Sequence, residues 1–169
     1  MSLYSWDYEA DHPADEWLWM AHAYADASVA LFEGMEAGTL PMQFHHAKVA
    51  AAAFDQGLEL FLKGALVLAG EDPPVSHRLA GVLDRFRKAF PGVEFGFTGK
   101  IDEAVRTLPT QPVGQFLRYP VDTNGEPWPG HSHFDLGIWL GEARAFRADY
   151  RRLEPFLRQN AKARKQGKI

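Results

Sequence analysis

FHHAKVAAAAFDQGLELFLKGALVLAG, residues 44–70, places apolar side chains at Ala47, Ala51, Phe54, Leu58, Phe61, Leu62 and Ala65. Spacings of three and four put these on one face of an α-helix, and the alanine run at 50–53 favours helix and lets a neighbouring helix come close. The stretch reads as the central helix of a bundle, starting near Pro41 and ending at Gly70.

On its N-terminal side, Asp11 followed by Pro13 marks the start of a first helix. Its apolar face is read as Trp17, Met20, Tyr24, Ala27, Leu31 and Met35, ended by Gly38. On the C-terminal side, Glu71-Asp72-Pro73-Pro74 breaks the chain. Ser76 then caps a third helix carrying Leu79, Val82, Leu83 and Phe86, which Pro91-Gly92 stops. Val93 to Phe97 alternates as a short extended piece, and Ile101 to Leu108 fits two further turns of helix. Residues 109–134 hold Pro109, Pro112, Pro120, Pro127 and Pro129 with Asn124-Gly125 as a turn, the composition of a long irregular loop. The last helix begins at Ser132 or Asp135 and carries Trp139, Ala143, Phe146, Tyr150, Leu153 and Leu157. Pro155 kinks it or marks a strained turn.

The expectation is an all-α fold: an antiparallel bundle of four to five helices with a long Pro-rich loop before the last helix. It forms one domain over residues 1–169, with 158–169 a frayed basic tail. Of 169 residues, 46% are hydrophobic and 13% aromatic, enough for one sizeable core. The chain has no cysteine, which excludes disulfides, thiolate zinc sites and a cysteine nucleophile. No apolar run reaches membrane-spanning length and no secretory leader pattern opens the chain, so a cytoplasmic location and no membrane contact are expected.

Charge is unevenly placed. Residues 1–47 contain eight acids and neither Lys nor Arg, whereas from Arg144 onward nine bases face Asp149 and Glu154. Such segments pair within one bundle, meet across a dimer, or leave the basic end free for nucleic acid; pairing within the chain or simple solvation is the favoured reading.

The order of elements in FHHAKVAAAAFDQGLELFLKGALVLAGEDPPVSHRLAGVLDRF resembles the HEPN superfamily of helical domains. In those domains a small-residue-rich helix ends in a Leu-Lys element, here Leu62-Lys63, before a loop and a His-x-Leu start, here His77-Arg78-Leu79. LRYP at 117–120 before a final long helix is similar to bacterial members. The resemblance implies homodimerisation, a nucleotidyltransferase-type antitoxin partner, and a role in a toxin-antitoxin or RNA- or nucleotide-related bacterial system. The Arg-x(4–6)-His element of catalytic members is absent, so the chain is read as a non-catalytic association module.

The densest polar cluster is Arg118, Tyr119 and Asp122 with His131 and His133 in the same loop. An Arg fork grips phosphate and a His moves protons near neutral pH. Arg118, Tyr119 and Asp122 are thus the candidate ligand-binding residues, and Arg118 with His131 and His133 the candidate catalytic set of an alternative reading, a metal-independent endoribonuclease. A weaker alternative is a metal-dependent bundle enzyme using His22, His45 or His46, and His131, a triad easily assembled from seven histidines; no metal or cofactor is expected. Lys63 is expected to reach solvent.

Overall fold

A computed structural model describes residues 10–75, 79–95, 124 and 135–165. Among these residues the protein is all-α, with no strand and four helices: α1 (Ala14–Glu36), α2 (Phe44–Leu68), α3 (Leu79–Ala89) and α4 (Leu136–Lys165). No helix of the described residues is long and apolar enough to cross a membrane. Ser76, residues 96–123 and residues 125–134 lie outside the described residues, and with them the predicted cap of α3, the helix over 101–108 and nearly all of the Pro-rich loop. The described part of the predicted extended piece, Val93–Phe95, is neither strand nor helix.

α1 starts later than Asp11 suggested. The helix opens at Ala14, where the His12 N–H donates to Asp15 Oδ2 (2.8 Å) and the Ala14 N–H to His12 Nδ1 (3.1 Å), so His12 and Asp15 do the capping. At its other end Gly38 takes φ +70°, as the sequence predicted. α4 is capped by Asp135, whose Oδ1 accepts the Ile138 N–H at 3.0 Å.

Pro155 lies on the exposed side of α4 and the helix runs through it to Lys165. The bond lost at the Arg151 carbonyl therefore opens toward water. This corrects the expectation of a frayed tail from residue 158: Leu157 and Ala161 are buried, and packing rather than local pattern extends the helix. Residues 166–169 lie outside the described residues.

α2 is the hub. Phe54 meets Phe146 edge-on, with centroids 5.4 Å apart, and Phe61 packs on Phe86, Phe146 and Tyr150. The stripes predicted for α2, α3 and α4 are the buried ones.

The stripe predicted for α1 reaches the core only at Met35, with Leu31 packed against it. Leu18, Ala21, Ala25, Val29 and Phe32 fill the core, whereas Ala27 is exposed and Met20 is 50% exposed. Nearly every α1 position that is not acidic is apolar, so periodicity alone admits two faces, and the one with small residues, Ala21 and Ala25, is the one that lies against Gly57 of α2.

α1 is antiparallel to α2, with Ser28 Oγ donating to the Ala50 carbonyl and Gly57 set between Ala21 and Ala25. α1 is antiparallel to α4 as well, since Asp15 pairs with Arg158 and Glu33 with Arg144. α2 and α4 therefore run in the same direction, and the chain between them returns from one end of the bundle to the other.

Candidate functional site

The acidic first third and the basic last third of the chain meet along α1 and α4. Arg144 pairs with Glu33 (3.0 Å) and Glu36 (3.4 Å), and Arg147 and Arg151 flank Asp26 at 3.8 and 3.6 Å. Arg158 binds Asp15 and Glu154, both at 2.7 Å. Arg152 turns to the other side, to Asp149 and the Glu94 carbonyl. All five arginines from Arg144 to Arg158 are thus engaged within the chain, the favoured reading of the charge pattern.

The most connected part lies at the N-terminal end of α1. Glu154 uses both oxygens, Oε2 for His22 Nε2 at 3.1 Å and Oε1 for Arg158. The Tyr150 ring lies against His22, and its hydroxyl donates to the Leu18 carbonyl at 2.5 Å. Burial, then the nearby Glu154 charge, pushes the Tyr150 hydroxyl far above its ordinary pKa, so it stays a neutral donor. Burial alone would raise the Asp15 carboxyl. The hydrogen bonds from Arg158 and the His12 N–H outweigh it and hold Asp15 below the ordinary carboxylate value.

Beside this network opens a cleft of about 410 Å³ between the start of α1, the end of α2 and the last turns of α4. Asp11, Trp19, Leu68, Arg158 and Lys162 are on its walls. Asp15 and Arg158 already pair across it, and the Arg158 fork is filled by two carboxylates. A phosphate entering here has to displace both.

A second buried pair is on α2. Lys63 Nζ is 2.8 Å from Glu59 Oε1, both side chains at most 5% exposed, and the ammonium stands 5.9 Å from the centroid of Trp17. This corrects the expectation that Lys63 reaches solvent. The missed signal was Glu59 four residues earlier, which with an aromatic neighbour replaces the water that the ammonium gives up.

The sequence-derived site residues Arg118, Tyr119, Asp122, His131 and His133 all lie outside the described residues. Of the proposed metal triad, His22 is committed to Glu154, and no group of three or more His, Asp or Glu able to hold a metal occurs among the described residues. No family model matches the chain, and no curated protein or solved structure is similar to it.

Proposed function

We propose that the chain is a HEPN-like helical association module that works without catalysis. It acts as a homodimer or with a nucleotidyltransferase-type antitoxin partner, in a bacterial toxin-antitoxin or RNA- or nucleotide-related system, within the cytoplasm. The partner class and the system come from the sequence resemblance at residues 44–90 and 117–120. The observation that supports an association role is the pairing of the α4 arginines, which are spent on carboxylates of α1 and α4 rather than held out toward a ligand. His22 and Tyr150 serve the same contact. These ionisable groups hold two helices in register.

The test is cleavage of end-labelled RNA by tag-free protein with chelator present, beside Arg118→Ala and the double variant His131→Ala/His133→Ala. The reading expects intact RNA throughout. Cleavage by the wild type that vanishes in both variants would overturn it and establish the endoribonuclease reading. The partner is tested by whether cells arrested by expressing the chain resume growth when the product of the adjacent gene is co-expressed.

A further inference from the structure

The cleft where α1 begins and α2 and α4 end holds the exception to the pairing seen along the rest of the α1–α4 edge. From Arg144 to Arg158 each base of that edge has closed on a carboxylate. Asp11, ahead of α1, and Lys162, on the last turns of α4, line the same cleft and have not. Both are exposed, and neither makes an ion pair or hydrogen bond with a described residue. A space thus separates two opposite charges that their neighbours' example would have joined.

The rest of the wall is largely apolar. Trp19 is 42% exposed, and the buried Leu68 and Ala161 add aliphatic surface beside it. An open indole face next to aliphatic surface takes an aromatic ring by stacking or edge contact. The volume of about 410 Å³ is that of a small-molecule site, in which an apolar wall with a few polar groups fixes a ligand's orientation. His12, also on the wall, accepts the Ala14 N–H at Nδ1, so its neutral ring carries the proton on Nε2 and is a donor there.

Charge selects the class of ligand. Asp15 and Arg158 cancel one another, which leaves one carboxylate and one ammonium to be answered. A simple anion answers Lys162 and leaves Asp11 facing it, and an organic cation does the reverse. A ligand that carries both charges answers both. At neutral pH a free amino acid has an ammonium, a carboxylate and, where its side chain is aromatic, the ring that Trp19 takes. A residue within a peptide has neither charge, and a peptide terminus has one.

We infer that this cleft binds a free amino acid with an aromatic side chain, its ammonium toward Asp11, its carboxylate toward Lys162 and its ring on Trp19. The site does not depend on the association role proposed above, and RNA cleavage does not test it.

The test is a heteronuclear NMR titration of the full chain with L-phenylalanine, read at the Trp19 indole N–H, the indole signal missing from Trp19→Phe. A saturable shift is expected with a Kd of about 1 mM, the affinity of a ligand of about twelve non-hydrogen atoms at ordinary efficiency. Lys162→Gln and Asp11→Asn change exposed, unpaired groups and keep the fold; each is expected to weaken binding about fivefold. Phenylpropionate lacks the ammonium, phenethylamine the carboxylate and glycine the ring, and each is expected to bind at least about fivefold more weakly than phenylalanine. A signal that does not saturate at about ten times the expected Kd overturns the site. An affinity unchanged in both charge variants places phenylalanine elsewhere and overturns it too. Binding of any of the three analogues as tight as that of phenylalanine overturns the amino-acid class.

Discussion

α1 meets its two neighbours by opposite chemistry. Against α2 the contact is small and dry: a Cβ added at Gly57 would stand 3.2 Å from the Ala25 nitrogen and 3.3 Å from the Ala21 carbonyl, and one at Gly64 only 2.9 Å from Leu18. Against α4 the outer edge is a row of ion pairs, half exposed except near Asp15 and Glu154. Dispersion and apolar burial scale with closeness, whereas exposed ion pairs contribute little and weaken with salt. The apolar packing of α1 on α2 is therefore expected to stabilise the bundle more than the row of α4 ion pairs does, and those pairs set which helix lies where.

The comparison breaks most visibly at the buried pair. Glu59→Gln leaves the Lys63 ammonium without its carboxylate and is expected to cost about 3–5 kcal/mol in urea unfolding. The double change Glu59→Leu/Lys63→Met removes both charges and is expected to recover most of that loss. Gly57→Val forces α1 and α2 apart at backbone atoms and is expected to cost about 1–3 kcal/mol; a cost below about 0.5 kcal/mol would show that the close approach contributes little.

On the α4 side, Tyr150→Phe leaves the packing and removes one buried hydrogen bond, for a loss of about 1 kcal/mol. Arg144→Ala is expected to change stability by less than about 0.5 kcal/mol, and that difference should vanish in high salt.

Acid distinguishes the two contacts further. The Asp15 carboxyl has a lower pKa folded than unfolded, so its contribution is present above the ordinary carboxylate value and fades as pH falls through the folded one. Urea midpoints of wild type and Asp15→Asn are therefore expected to differ at neutral pH and converge in acid. A constant difference across that range would remove Asp15 from the account.

The same contrast explains what could be read from the chain beforehand. The core faces of α2, α3 and α4 were legible because each alternates a bulky apolar stripe with charged or small residues. The core face of α1 was not, because Met20, Tyr24, Ala27 and Leu31 repeat with the same period as Leu18, Ala25 and Phe32, and only the neighbours decide between them. Helix ends set by glycine were legible; the start of α1, built from a histidine ring and a carboxylate ahead of a core face that after Leu18 is only small residues until Val29, was not. The buried ion pair was hidden because a lysine beside an apolar stripe ordinarily reaches water. The chemistry of Arg118, Tyr119, Asp122, His131 and His133 marks them in the sequence, and chemistry alone does not place a side chain.

The parallel course of α2 and α4 bears on the order of folding. α1 and α2 are joined by a short turn and close a small loop, whereas Tyr150 finds the Leu18 carbonyl across 132 residues. Loop closure over that separation costs entropy before any contact rewards it, so α4 is expected to dock onto a hairpin already formed. A substitution such as Tyr150→Phe should then leave the refolding rate nearly unchanged and speed unfolding, while Gly57→Val slows refolding.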